Sequence, residues 1–329
     1  MNSLRRRAYL ALGVVSLHLV FGAVVRITGS GMGCGDHWPK CYGYWFPPLN
    51  RPDLIIEVSH RYLATIVTLA ILVLFAGAVR RRAEPGVSGR GGVLRMATAA
   101  LGTVLATAAL GGVTVKLGNA PWTVVAHWVL AMLLLAILAT ATVRTGAMGG
   151  TGVRGEHAPR GFLRAAYVAA GGAFLTVAMG GLTANFPFAA VGCTLFPSCG
   201  PNPAAPPSAV HIQLTHRTIA VLLAILLVVM AAWSRELGPT VRRALNVAIG
   251  LVLLQIVIAG AMVLLHMPPA LRSLHEATGV AIWLATFTLA YLARIAAGHG
   301  PLGEGRGAGV PPTAPRSGAG HRPMAGARS

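Results

Sequence analysis

Charged side chains are scarce in this sequence. Only 11% of its 329 residues are charged, whereas 55% are hydrophobic, and such a composition is far too apolar for an ordinary soluble protein. Short segments of alternating polar and apolar residues, as in a membrane β-barrel, are also missing. The sequence instead contains eight apolar runs of roughly the 20 residues needed to cross a bilayer. Because lipid cannot satisfy backbone polar groups, we predict an all-α, polytopic membrane protein with helical spans near 8–26, 54–79, 94–115, 122–143, 164–184, 211–233, 244–265 and 272–295.

Acidic residues are the rarest charged type, with eight Asp and Glu against 27 Lys and Arg and a formal net charge of +19. A basic chain can bind nucleic acid, but here the basic residues are unevenly distributed. Most lie near the N-terminus, in the second, fourth and sixth connections between spans, and after the last span. This positive-inside pattern predicts that both termini lie in the cytoplasm and that the basic segments contact anionic membrane lipid. We therefore expect no nucleic-acid partner.

The eight spans form two similar halves of four. In each half a loop with two cysteines precedes a span that carries a His-Arg pair, His60-Arg61 in the first half and His216-Arg217 in the second. Because each half has an even number of spans, both halves have the same orientation, and we predict two four-helix bundles related by a pseudo-two-fold axis along the membrane normal. The predicted division is an N-terminal half, a cytoplasmic linker, a C-terminal half and a disordered cytoplasmic tail, at 1–143, 144–163, 164–295 and 296–329.

Small residues recur near the ends of the odd-numbered spans. Gly111-Gly112 in the third span is echoed by Gly260 in the seventh, and Gly22 in the first span is echoed by Gly180 in the fifth. Small residues let neighbouring membrane helices approach closely, and we expect this to be their main role.

Four histidines, one on each even-numbered span, lie at a similar depth, about one to two turns from the outer end: His60, His127, His216 and His275. A lone intramembrane histidine is more often a packed or hydrogen-bonded residue than a ligand, and we interpret His18 in the first span as an interfacial polar group. Two matched pairs instead favour axial ligation of haem iron between facing helices. A zinc site usually needs four ligands, and the Met or Cys typical of a copper site is not evident at this depth.

Charged neighbours distinguish the two histidine pairs. Arg61 and Arg217 are candidates for pairing with haem propionates, because guanidinium binds carboxylate bidentately; the alternative is that they snorkel to the outer interface. Glu57 lies three residues before His60 and therefore shares a helix face with it, whereas Gln213 occupies the matching position in the second half. A carboxylate beside a haem can act as a base or stabilise developing positive charge. We predict catalysis in the N-terminal half and a permanent haem in the other.

All four cysteines fall in the two long outer loops, where oxidising conditions permit disulfides. One disulfide per loop is the simplest pairing, between Cys34 and Cys41 and between Cys193 and Cys199. Each disulfide is either a loop staple worth roughly 2–3 kcal/mol or a labile, redox-active pair close to the haem. Both interpretations stay open at this point.

The combination of these residues resembles the haem A synthase family (CtaA/Cox15). The resemblance covers nearly all of residues 8–295 and rests on the two cysteine loops together with Glu57-x-x-His60-Arg61, His127, His216-Arg217 and His275. It implies an oxidoreductase that converts the C8 methyl group of haem O to a formyl group, giving haem A for cytochrome oxidase. It also implies a bacterial plasma-membrane location, and as partners haem O synthase and an electron donor or acceptor.

The resemblance also implies specific roles for the site residues. His60 and His127 would hold the substrate haem, His216 and His275 would ligate a haem b cofactor, and Glu57 would assist the chemistry. Cys34 and Cys41 would matter for activity, for example by passing electrons.

Two other functions compete with this one. A di-haem b membrane electron-transfer protein explains the histidines, but it does not explain Glu57 or the cysteine loops. A transporter is suggested by the internal repeat alone and leaves both histidine pairs unexplained.

Overall fold

Eight long helices make up the structure, a computed structural model that describes residues 1–299. All eight are long and apolar enough to cross a membrane, which confirms the predicted all-α fold. The chain is therefore a multi-pass membrane protein. Its helices are α1 (Asn2–Ile27), α2 (Pro52–Arg80), α3 (Val93–Lys116), α4 (Pro121–Arg144), α5 (Arg160–Asn185), α6 (Pro207–Met230), α7 (Pro239–Leu264) and α8 (Pro269–Ala296).

The helices begin before the predicted spans. For example, α1 begins at Asn2 rather than at residue 8, and α7 begins at Pro239 rather than at residue 244. Five of the helices begin with a proline at their first or second position, where the missing N–H is not needed and the fixed φ angle is already helical. The apolar runs predicted the part of each helix that suits lipid, whereas the helices themselves continue into their polar ends.

Neighbouring helices pack within each half, and the first and last helices of each half join the two halves. Between the halves, α1 contacts α8, and α4 contacts both α5 and α8. One buried apolar core contains residues from all eight helices, and the indole N–H of Trp283 on α8 donates to the carbonyl of Met132 on α4 at 2.9 Å. If the two halves are exchanged, α1 takes the place of α5 and α8 takes the place of α4. The α1–α8 contact therefore corresponds to the α5–α4 contact. The pseudo-two-fold axis itself and the division into domains stay predictions.

The connection between the halves is attached to the start of α7. Glu156 accepts the backbone N–H groups of Thr240 at 2.9 Å and of Val241 at 3.3 Å, which lie in the first helical turn and have no partner within the helix. Val153 of the same connection is fully buried. The segment predicted as a linker thus has packed contacts of its own. The predicted tail lies, from residue 300 onward, outside the described residues.

Both cysteine loops follow odd-numbered helices and lie at the same end of the bundle, which we call the cysteine-loop end. An aromatic ring from each loop covers a glycine near the end of a neighbouring helix: Trp38 lies over Gly112 of α3 and Phe196 over Gly260 of α7. A Cβ atom at these glycines would be 3.4 Å and 3.2 Å from the respective rings. Within the pair Gly111-Gly112, it is therefore Gly112 that corresponds to Gly260.

Candidate functional site

His60 on α2 and His216 on α6 each lie against a glycine of the preceding helix. A Cβ atom at Gly22 of α1 would be 3.3 Å from Cε1 of His60, and one at Gly180 of α5 would be 3.2 Å from Cε1 of His216. Few real Cβ atoms tolerate such short contacts, so glycine provides the space that each imidazole ring occupies. These glycines were expected to serve close helix approach, and the structure gives them the more specific role of seating two rings.

His127 on α4 and His275 on α8 are held from α3 and α7. The carbonyl of Thr107 on α3 accepts a hydrogen bond from Nδ1 of His127 at 3.0 Å. The side-chain amide of Gln255 on α7 lies 3.1 Å from Nδ1 of His275 and donates to the carbonyl of His275 at 3.0 Å. Because His127 donates from Nδ1 to a carbonyl, the lone pair of its Nε2 stays available, which is the usual arrangement of a metal-bound histidine.

The C-terminal half brings His216 and His275 together. Their ring centroids are 6.4 Å apart and their planes are inclined by 69°. Two imidazoles on one metal, each with a bond of about 2 Å and a ring nitrogen about 1 Å from its centroid, would place the centroids about 6 Å apart. The carbonyl of Thr176 accepts a hydrogen bond from Nδ1 of His216 at 3.1 Å, which leaves Nε2 of that ring for the metal. The spacing of the two rings therefore fits a haem iron held by both histidines.

The N-terminal half adds a third imidazole to its two candidate ligands. His18 of α1 stacks on His60 with ring centroids 4.2 Å apart and planes inclined by 15°. The interpretation of His18 as an interfacial polar group was therefore wrong. Its position one turn before Gly22, in the repeated small-residue segment, is the signal that would have found it. Within residues 1–299 no group of three or more His, Cys, Asp or Glu side chains is arranged to hold a metal ion.

Glu57 ties the first cysteine loop to α2. The residue is 4% exposed; its Oε2 accepts the backbone N–H of Cys34 at 2.8 Å, and its Oε1 pairs with Nη2 of Arg61 at 2.5 Å. Gln213 occupies the equivalent place on α6, where its Oε1 accepts the backbone N–H of Cys193. Both halves thus hold the first cysteine of their loop from the same helical position, but only the N-terminal half does so with a charged group.

Arg61 and Arg217 direct their guanidinium groups to their own cysteine loops. Nη1 of Arg61 donates to the carbonyls of Pro39 at 3.0 Å and Lys40 at 3.3 Å, and Nη1 of Arg217 donates to two carbonyls of the second loop at 2.8 Å and 2.9 Å. Backbone carbonyls therefore occupy donors that were predicted to bind haem propionates. Contact with a propionate stays a prediction, and the observed contacts give both arginines a role in fixing the loops.

Each loop contains one disulfide, as predicted. Cys34 is bonded to Cys41 and Cys193 to Cys199, with Cα atoms 4.9 Å and 4.6 Å apart, within the range usual for disulfides. In the first disulfide, the backbone N–H of Cys34 donates to the buried carboxylate of Glu57. Its redox activity stays a prediction.

An ion pair joins the two halves next to His275. Arg26 at the end of α1 pairs with Glu276 of α8 and also donates to the carbonyl of Ala184 at the end of α5 at 3.4 Å. Neither charged residue was predicted to belong to the site. The signal was an acidic residue beside a candidate ligand within an apolar span, where ionisable groups are expensive.

Comparisons with known proteins agree with this geometry. The family model COX15-CtaA, described as "Cytochrome oxidase assembly protein", matches residues 5–287. A protein of Shouchella clausii named "Heme A synthase" is 28% identical over 232 residues, which cover 68% of this chain and 73% of the relative.

Other relatives match shorter segments. A Geobacillus kaustophilus protein, also named "Heme A synthase", is 50% identical over 56 residues, or 17% of this chain and 18% of the relative. A Thermus thermophilus protein named "Protoheme IX farnesyltransferase" is 46% identical over 61 residues, or 18% of this chain and 10% of the relative. The chain thus spans less than a fifth of the length of these two relatives. The family model, by contrast, matches most of the chain, which therefore belongs to the COX15-CtaA family of cytochrome oxidase assembly proteins.

Proposed function

We propose that this chain is a haem A synthase, an oxidoreductase that oxidises the C8 methyl group of haem O to a formyl group and so supplies haem A for cytochrome oxidase. The observation that carries the proposal is one pair of histidines on the even-numbered helices of each half, in a chain that its family model matches over residues 5–287. Relatives named "Heme A synthase" support it. A bis-histidine site in each half suits one substrate haem and one resident haem.

The N-terminal half is proposed to bind the substrate. His60 and His127 would hold the iron of haem O, because each ring is seated by a helix of the same half. The disulfide loop is attached to α2 three residues before His60, through the hydrogen bond from Cys34 to Glu57. The reacting methyl group would then lie near the one buried carboxylate that distinguishes the two halves.

The C-terminal half is proposed to hold haem b through His216 and His275. A haem b bound there would carry electrons one at a time. The residues of the chain fix the site for that purpose: the Thr176 carbonyl orients His216, and Gln255 holds His275. The neutral Gln213 in place of Glu57 suits a haem that stays bound and does not react.

Glu57 is the proposed catalytic residue. Its carboxylate is buried, and its position is fixed by Arg61 and by the backbone of Cys34. A fixed negative charge of this kind stabilises positive charge that develops on the substrate as its methyl group is oxidised, or accepts a released proton. Because Arg61 is held in turn by two loop carbonyls, the carboxylate needs little reorganisation during the reaction.

The reaction needs an electron acceptor. A formyl group is four electrons more oxidised than a methyl group. With water as the source of the formyl oxygen, CH3 and H2O give CHO, four protons and four electrons, and these electrons must be accepted. The disulfide of Cys34 and Cys41 is a candidate for accepting two of them, with two protons, to give two thiols. The haem of the C-terminal half and an external acceptor would take part in passing the electrons on.

The proposed location is the plasma membrane of a bacterium, with both termini in the cytoplasm, as the distribution of basic residues indicates. A haem O synthase is the proposed partner, because it would supply a substrate that is too apolar to leave the membrane readily. The similarity of a segment of 61 residues to a protein named "Protoheme IX farnesyltransferase" supports a place in haem modification.

The direct test is expression of the full chain in cells that make haem O but no haem A. Haem is then extracted and identified by chromatography and mass spectrometry. We expect haem A, or haem O with a hydroxylated methyl group. Recovery of haem b together with unchanged haem O would overturn it and would favour the di-haem electron-transfer protein instead.

A further inference from the structure

The two halves treat their first histidine differently. Four residues before Gly22, α1 carries His18; four residues before Gly180, α5 carries Thr176. Because Gly22 and Gly180 seat His60 and His216 in the same way, His18 and Thr176 are equivalent positions. One half thus has a third imidazole where the other has a small side chain.

This difference changes how the ligand ring is held. In the C-terminal half the carbonyl of Thr176 accepts the Nδ1 hydrogen of His216 at 3.1 Å, and the threonine hydroxyl folds back to the carbonyl of Gly172 at 2.8 Å. In the N-terminal half the imidazole of His18 lies parallel to that of His60 at 4.2 Å. Among the described residues, neither Nδ1 of His18 nor Nδ1 of His60 has a hydrogen-bond partner, although both atoms are buried.

A hydrogen bond from Nδ1 to a carbonyl fixes the orientation of a metal-bound histidine and raises its basicity, and its removal typically lowers metal affinity about 10- to 100-fold. Stacking keeps two rings parallel at a short distance, but it does not fix rotation within the plane of the ring. His60 is therefore held less firmly than His216. A less firmly held ligand suits a haem that must enter and leave at every turnover.

We propose that His18 is a positioning residue that, by stacking on His60 in place of a carbonyl hydrogen bond, makes the N-terminal haem exchangeable. The proposal rests on the function proposed above, in which the N-terminal haem is the substrate. It gives the two halves a second difference besides Glu57 and Gln213. Whereas that first difference concerns the reaction, this one concerns binding and release.

The test is the rate at which each half loses haem to apomyoglobin, measured on the full chain loaded with haem b. A His275→Ala background restricts haem to the N-terminal half, and a His127→Ala background restricts it to the C-terminal half. In the first background, His18→Thr should slow haem loss about tenfold, because the carbonyl becomes available to His60. In the second, Thr176→His should accelerate haem loss by a similar factor. If a background variant folds poorly, haem loss is measured on the chain with both histidine pairs intact. Its two kinetic phases then give the rates of the two halves.

A His18→Phe variant separates stacking from iron binding. Phenylalanine keeps a stacked ring and removes both nitrogens, so haem loss should stay close to that of the unchanged chain. The low-spin ferric EPR signal of the N-terminal haem, which depends on the orientation of the axial rings, should shift with His18→Thr and not with His18→Phe.

Equal rates of haem loss with and without the His18→Thr and Thr176→His replacements would overturn the proposal. Loss of N-terminal haem in His18→Phe would also overturn it, since His18 would then be an iron ligand itself. Because these measurements need no turnover, they stand apart from the test of haem A formation. Haem-loss rates that change as expected in the His18→Thr and Thr176→His variants, together with no haem A formation by the unchanged chain, would contradict the synthase function. The positioning role of His18 would then still hold.

Discussion

Replacement of Glu57 by alanine and by glutamine should have very different consequences. Glu57→Ala removes the partner of the Cys34 N–H and of Arg61 together. Glu57→Gln keeps an oxygen that can accept the N–H of Cys34, as Gln213 does for Cys193 in the second half. The second half thus shows that an amide at this position is compatible with a closed cysteine loop.

The magnitude follows from the burial of the ion pair. The Arg61 and Glu57 side chains are 14% and 5% exposed, and leaving one partner of such a buried pair alone costs about 3–5 kcal/mol. Both replacements remove the carboxylate that pairs with Arg61, which keeps its two loop carbonyls. Only alanine also leaves the buried Cys34 N–H without an acceptor, which costs about 1–3 kcal/mol. We therefore expect the free energy of unfolding to fall by about 1–3 kcal/mol more in the alanine variant.

The assay is reversible unfolding of the purified chain in mixed micelles, with haem content and haem O conversion measured on the same samples. Glu57→Gln should keep both haems and lose conversion. Gln213→Ala is the matched control: it leaves the Cys193 N–H without its acceptor at a cost of about 1–3 kcal/mol and should retain conversion. Equal unfolding free energies for the two Glu57 variants would refute the structural role, and full conversion by Glu57→Gln would refute the catalytic one.

Three further predictions concern the glycine beside the His216 ring, the cofactor ligand and the disulfides. Gly180→Ala should displace His216 and lower haem b content, because its Cβ would lie 3.2 Å from the ring; Gly171→Ala, which meets no atom within 4 Å, should not, and equal haem contents would contradict the proposed seat. His216→Ala should lose the cofactor haem while the N-terminal site still binds haem, and an unchanged total haem content would exclude it as a ligand. Cys41→Ser and Cys199→Ser should each lose the roughly 2–3 kcal/mol of a short-loop disulfide, but only Cys41→Ser should abolish conversion. Equal activity losses in the two cysteine variants would leave the disulfides as staples.

The repeat in the sequence carries much of the fold and of the site. Apolar runs of sufficient length predicted the eight spans, and two cysteines in each outer loop predicted the two disulfides, because span length and loop chemistry are local properties. The equivalence of Glu57 and Gln213 also follows from the repeat, and the structure gives both residues the same backbone partner.

Other features depend on contacts between distant helices. His18 has no histidine at the equivalent position of the second half, so a search for repeated residues passes over it. Arg26 and Glu276 are far apart in sequence and meet only because α1 packs against α8. The guanidinium of Arg61 was expected to bind a propionate, and the structure shows it bonded to a carbonyl of the cysteine loop. The sequence did not predict this contact, because the fold of that loop cannot be read from composition.

We propose that the N-terminal haem turns over while the C-terminal haem stays. It is tested most directly by adding haem O and an electron acceptor to the purified full chain carrying haem b, and by following all haems by chromatography over time. We expect haem O to disappear and haem A to appear while the amount of haem b per chain stays constant, and we expect His60→Ala to block the conversion. Unchanged haem O, or haem b displaced as haem O enters, would contradict the claim.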